Sequence, residues 1–388
     1  MNTISVSKRA LSTRKSEILE IDTRVRLLEA KKKQVTKLHI GNMWQKTDES
    51  IISKAHEAML SGRTGYEGVA SSIPEFSEAL IDYWKRKFGV TIESSWIITG
   101  PSIGLLNQTM DCILELGKKI GVLTPSWEAY SSQISETLAT EKAIAMDYSN
   151  GRWTMPSFSA KDLDLFLMND PNNPTTSVLD EQSRQAIISA MSRTEAPIIS
   201  DLAYDNLYWD CDFKPMLQYS EIADRVISIG SFSKSLRMAG WRIGYLISSD
   251  EKFLGVLRHK IRKDWTCASP FIQYAAAYGL SREFEPRQRE WCSTVRRICI
   301  KSAEILRSFG VECTEPKGTI YVFARVEMDS VKFSNLLIDS HGIATVPGKY
   351  SGENATDWIR ITPVAVPEEK LYPALETIGN VYRESSHR

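Results

Sequence analysis

Short apolar runs alternating with amphipathic helical stretches restrict the fold of this chain more than any other feature. "SWIIT" leads into "GPS" and the helical "IGLLNQTMDCILELG", and "IGVLT" into "PSW" and the helical "EAYSSQISETLA". "LDLFLMN" is followed by "DPNNPTTS" and the helical "LDEQSRQAIISAMSR", then "APIIS" by "DLAYDN". "RVISIG" ends in "SFSK", with "WRIGYLISS" as a further strand. A strand apolar throughout needs cover on both faces, and parallel neighbours need a helical crossover. The pattern therefore predicts an α/β fold whose mainly parallel central sheet is flanked by helices.

The character changes after residue 280. "REFEPRQREWCSTVRRICIKSAEILRSFG" reads as one long helix, followed by "GTIYVFARV", a helical "SVKFSNLLIDSHG", "IATVPG", "DWIRITPV" and a last helix "PEEKLYPALETIGNVYRE". This predicts a smaller α+β domain at 281–388 beside a large ligand-binding domain at 52–280. Residues 1–51 are expected to form an amino-terminal arm and part of the small domain. A chain of 388 residues is long for a single core, which agrees with that division.

Charge excludes several partner classes. Lysine plus arginine and aspartate plus glutamate number 48 each, so no global field draws the chain to nucleic acid or an anionic membrane. The run Lys31-Lys32-Lys33 is expected to be a solvated helix face. "MNTISVSKRALSTRKSEILEID" lacks the apolar stretch of a secretory signal, and no run reaches the length of a membrane span. The six cysteines form no C-x-x-C pair and no regular framework, which predicts reduced, structural thiols in a cytoplasmic protein. The five histidines show no metal-ligand spacing, so no metal is expected.

Ligands of open α/β sheets bind beyond the carboxyl ends of the strands. The residues at those ends are Gly100, Ser102, Trp127, Asn173, Asp201, Tyr204, Ser231 and Lys234. Such a set suits a flat, polar, anionic aromatic ligand better than a bare metal or a dinucleotide. No Walker A sequence is present, and no G-x-G-x-x-G opens a helix.

"SFSKSLRMAGWRIGY", residues 231–245, resembles the cofactor-lysine motif of the class I/II aminotransferases, the fold type I enzymes that use pyridoxal 5′-phosphate. "LHIGN", "GYEGVASSIPEFSEAL", "PSW", "NNPT", "DLAY", "VPG" and "WIRIT" resemble further motifs of that family in the same order, from about residue 35 to 380. The resemblance implies that Lys234 bonds to the cofactor aldehyde and carries the proton at the substrate α-carbon. It also implies that Arg242, Ser231, Ser102 and the backbone at Gly100 and Pro101 hold the cofactor phosphate. Asp201 would pair with the ring nitrogen, Tyr204 and Asn173 would bond the phenolic oxygen, and Trp127 would lie on the ring face. Arg360 would clamp the substrate α-carboxylate near Gly41. Tyr66 would reach the neighbouring subunit's phosphate, making a homodimer with shared sites. Plainer readings stand beside these: a helix cap for Asp201, a turn residue for Asn173 and core packing for Trp127.

The chain departs from the family pattern in places. Pro101 in the phosphate turn has no amide hydrogen, "NNPTTS" lacks the glycine that usually follows N-P-T, and Leu202 replaces a common acid. "LHIGNMW" lacks a proline, leaving Trp44 for the substrate entrance. "YWKRKFGVTIESSWIITGPSIGLL" also resembles carbon–sulfur β-lyases of the same fold. Transamination of an L-amino acid against a keto acid is the expectation, and elimination, replacement or cyclisation is the alternative.

Overall fold

The computed structural model describes residues 4–386. Its centre is a seven-stranded sheet in the spatial order Ile97–Gly100, Gly244–Ile247, Val226–Ser231, Ile198–Leu202, Leu165–Asn169, Lys119–Thr124 and Thr140–Ala145. The strands run parallel except Gly244–Ile247, which is antiparallel to both its neighbours. The segment joining it to Val226–Ser231 holds only the one-turn helix Phe232–Ser235 and the turn Ala239–Trp241. That is too little chain for a helical crossover, so the strand returns antiparallel.

Alternation along each strand supplies apolar side chains to both faces. Leu165 and Leu167 face one buried layer, with Ile120, Val122, Ile199 and Ile229. Phe166 and Met168 face the other, with Ile198, Leu202, Val226 and Ile247. Each such side chain stabilises the sheet by about 1.5–3 kcal/mol. The helices begin on recognisable caps: Asp48, Asp180, Asp250 and Asp329 each accept a backbone N–H from the first turn that follows. Pro74 opens the helix Pro74–Phe88, and Gly89 ends it with φ +68°.

A second sheet, antiparallel throughout, runs in the order Glu312–Cys313, Val322–Arg325, Trp358–Ile361 and Val346–Pro347. It shares a core with the helices Glu285–Ser308 and Glu368–Ser386 and with Phe333 and Leu337 of Ser330–His341. Thr36–Lys37 pairs in parallel with Ile343–Ala344, so the chain just after the helix Glu17–Ala30 joins this carboxy-terminal layer. Lys31 caps that helix and Lys32-Lys33 lie beyond it, so the basic run ends a helix rather than forming its face. The two layers meet at an aromatic cluster in which Phe323 stacks on Trp358 at 4.9 Å and Trp153 packs edge-on to Trp358 at 5.4 Å. Trp153 also donates to Thr314 Oγ1 at 3.1 Å. Among the described residues, no helix is long and apolar enough to cross a membrane.

Candidate active site

A cavity of about 240 Å³ opens at the carboxyl ends of the central strands. Its walls bring together Gly41, Ser102, Trp127, Asn173, Asp201, Tyr204, Ser231, Lys234, Arg242 and Arg360, ten of the residues singled out from sequence. Gly100, Pro101 and Tyr66 are not in the wall. Gly100 has a packing reason instead: a Cβ there would sit 2.9 Å from the Trp265 ring. Pro101 is the residue before the helix Ser102–Ile113, and its carbonyl accepts from Leu105 N at 2.9 Å. The missing amide of Pro101 therefore removes little, because the orphan N–H groups of a helix start belong to the residues after its cap. Those groups and the helix dipole face an anion with positive charge. Trp44, 50% exposed, also lies outside the wall.

Lys234 sits in the one-turn helix Phe232–Ser235, which starts where Val226–Ser231 ends. Ser231 caps that turn by accepting from Ser233 N at 3.3 Å. The lysine amine donates to the carbonyl of Gly41 and otherwise opens into the cavity. Burial, then the charges of Arg360 and Arg242, lower its pKa to about 8. A side chain at Gly41 would be excluded, since a Cβ would lie 2.6 Å from the Tyr321 hydroxyl.

Asp201 is the last residue but one of the strand Ile198–Leu202. It accepts from the Tyr130 hydroxyl at 2.5 Å and from Ala203 N at 2.9 Å, so it does cap a turn while lining the cavity. Burial holds its carboxyl above the ordinary range against the pull of both donors. No cation among the described residues pairs with it. Arg242, at φ +57°, donates to Ala239 O at 2.8 Å and has no carboxylate partner among the described residues. Ser102 donates its one hydroxyl proton to Gly230 O at 3.1 Å. It packs so closely beneath Gly244 that a Cβ there would lie 2.1 Å from its Oγ.

Arg360 comes from the second sheet and is 2% exposed. Its Nη1 donates to Asn173 Oδ1 at 2.9 Å and to Glu128 Oε2 at 3.4 Å, while Nη2 donates to His39 O at 3.0 Å. Its Nε is buried with no partner. The guanidinium lies 4.6 Å over the Tyr321 ring. Burial opposes its charge, but Tyr321, Glu128 and Tyr204 outweigh that and raise its pKa. Tyr204 and Tyr321 share a hydrogen bond of 2.9 Å.

Sequence reasoning missed Tyr130, Tyr321, Glu128 and Asn169. Tyr130 follows Trp127 by three positions, a spacing that puts both near one helix start, and this signal was available. Asn169 accepts from Asn173 N at 2.8 Å and donates to Asp201 O at 2.9 Å, tying two strand ends together. Tyr321 and Glu128 carried no local signal.

The donor set fits pyridoxal phosphate. An unpaired buried acid suits a protonated ring nitrogen, an unpaired arginine beside a helix start suits a phosphate, and an amine of lowered pKa suits an aldehyde. The buried, partnerless Nε of Arg360 calls for one more acceptor, which a carboxylate provides.

Comparison with known proteins agrees. The family model "Aminotransferase class I and II" matches residues 33–378. An aspartate aminotransferase of Thermotoga maritima is 29% identical over 96% of this chain and 98% of its own. An LL-diaminopimelate aminotransferase of Natranaerobius thermophilus is 26% identical over 92% of this chain and 95% of its own. Among solved structures, the Thermotoga maritima aspartate aminotransferase superposes with a TM-score of 0.85 at 26% identity, covering 97% of this chain and 99% of that one. A Thermus thermophilus aspartate aminotransferase reaches 0.87 at 21% identity over 98% and 100% of the two chains, which speaks for the fold alone. With the family motifs in order along the whole chain and their residues gathered in one cavity, this protein belongs to the class I and II aminotransferases.

Proposed function

We propose that the chain moves the amino group of an L-amino acid to a keto acid, with Lys234 holding the cofactor covalently and acting as the proton carrier. The observation that carries this is one cavity holding both a lysine of lowered pKa and a buried arginine with a free Nε. Pyridoxal phosphate, when bound, supplies an aldehyde to take the amino group and a ring to withdraw electrons from the α-carbon. Asp201, oriented by Tyr130 and Ala203, keeps the ring nitrogen protonated. Arg242, Ser231 and the backbone N–H groups that open the helix Ser102–Ile113, that of Ser102 included, would hold the phosphate, the Ser102 hydroxyl proton being committed to Gly230 O. Trp127 would cover the ring, and Tyr204 and Asn173 would bond its phenolic oxygen. Arg360 would grip the substrate carboxylate beside Gly41, and the Lys234 amine would hold and carry the α-proton.

Relatives named as transaminases favour this reaction over elimination, replacement or cyclisation. Tyr66, 83% exposed and away from its own cavity, fits a role in a partner's site and hence a homodimer. Six unpaired cysteines suit the cytoplasm. A single turnover without added keto acid tests the reaction. Stoichiometric pyridoxamine phosphate and a keto acid are expected, whereas continued turnover to ammonia, a thiol or a cyclised product would assign a lyase or cyclase.

A further inference from the structure

We propose that Tyr321 is a positioning residue: its hydroxyl donates to that of Tyr204 and so leaves the Tyr204 proton free for the phenolic oxygen of the cofactor. The proposal deepens the aminotransferase reading above and rests on it. Both phenols are buried in the cavity wall, with their hydroxyls 2.9 Å apart. Among the described residues each hydroxyl makes this one hydrogen bond. The pair joins the two layers, since Tyr204 follows the strand Ile198–Leu202 and Tyr321 precedes Val322–Arg325 of the second sheet. Backbone contacts set its register: Thr319 N donates to Leu207 O at 2.7 Å, and Trp209 N to Lys317 O at 2.9 Å. The Arg360 guanidinium, 4.6 Å over the Tyr321 ring, holds that ring from the other side.

The number of protons decides the direction of the bond. A hydroxyl carries one, so Tyr204 can donate to the cofactor only if it accepts from Tyr321. Charge favours the same direction. Burial raises the pKa of both phenols, and at Tyr321 the Arg360 charge is the largest pull against it. At Tyr204, Tyr321 adds to the effect of burial, and the Arg360 charge ranks behind both. Tyr321 is therefore the more acidic partner and the better donor. A hydroxyl that accepts one hydrogen bond is polarised to donate the next more strongly. Tyr204 thus stabilises negative charge on the phenolic oxygen more than a lone phenol would. A proton shared between that oxygen and the nitrogen joining Lys234 to the cofactor is then lost more easily.

A hydroxyl pair that merely packs the two layers together would look the same in coordinates, so the test reads the cofactor's own titration. The visible absorbance of the cofactor bound to Lys234 is followed against pH in wild type, Tyr321→Phe, Tyr204→Phe and the double variant. Every variant keeps Asn173, Asp201, Arg242 and Arg360, so the other polar groups facing the ring are common to all. Tyr204→Phe should raise the midpoint by about one pH unit, and Tyr321→Phe by about half of one. In the double variant, Tyr321→Phe should add nothing beyond Tyr204→Phe. Should Tyr321→Phe fold poorly, 3-fluorotyrosine at position 321, a more acidic donor of nearly the same shape, should lower the midpoint instead. A midpoint unmoved by either change at 321, or a Tyr321→Phe shift that persists without the Tyr204 hydroxyl, would overturn the proposal. Failure of the underlying reading looks different: Tyr204→Phe itself would leave the midpoint in place, or the cofactor would not bond to Lys234 at all.

Discussion

Lys234 lies under protein on most sides and beside two guanidinium groups, and both conditions disfavour its ammonium form. With a pKa of about 8, roughly half the amine is neutral at that pH, against about 0.3% for an ordinary lysine. Only the neutral amine attacks an aldehyde. The rate of cofactor uptake by apoenzyme should therefore rise as pH increases towards about 8 and level off above it. Stopped-flow absorbance would follow this, and a rise continuing to pH 10 would place the lysine at its ordinary value. Arg360→Met removes one repelling charge, so the inflection should move to higher pH. The sequence placed Lys234 beyond the end of one strand and Arg360 in another; their electrostatic coupling appears only once the second sheet is docked.

In the loop between Leu165–Asn169 and Glu181–Met191, the position where the family pattern has glycine carries Thr176. Its φ is +63°, a left-handed conformation that is costly for a β-branched residue. Its backbone carbonyl accepts from Lys317 N and Gly318 N at 3.2 and 3.0 Å, so the turn is held in place by the segment between two strands of the second sheet. Its Oγ1 is buried without a partner. Thr176→Gly relieves about 1–2 kcal/mol of backbone strain and one unmet hydroxyl, against about 0.5–1 kcal/mol of added chain entropy. A net gain of about 1 kcal/mol is expected, read as a higher denaturant midpoint with an unchanged slope. The departure from the pattern was visible in sequence, but the strain was not, because a threonine in an ordinary turn spells the same letters. The edge strand Thr140–Ala145 was likewise missed: "TEKAIA" is too polar to read as buried, and pairing with Lys119–Thr124 defines it.

For the molecule as a whole, the exposed surface carries Tyr66 together with Leu60, Val69 and Ile103, which are 76%, 42% and 41% exposed. Exposed apolar side chains of this kind, of which Ile103 lines the cavity, suit a covered interface. If Tyr66 serves the partner's site, Lys234→Ala and Tyr66→Ala subunits complement each other. A hybrid dimer would then hold one site with both defects and one with neither. Random mixing of the two inactive proteins should restore about a quarter of wild-type activity. No restoration in dimers that demonstrably exchange subunits would return Tyr66 to its own chain's site.

The sequence by itself determined the layered α/β plan and the residues at the strand ends, because side-chain period and turn chemistry are local properties. Asp201, Ser231 and Lys234 were legible for that reason: each follows an apolar run within a few residues. Tertiary structure alone decided the partnerships that give those residues their chemistry. Tyr130 meets Asp201 across 71 positions, Tyr204 meets Tyr321 across 117, and Arg360 meets Glu128 across 232. No local pattern encodes a contact at such separation. It arises where two sheets, each buried for its own apolar reasons, close around one cavity and leave their polar groups no partner but one another.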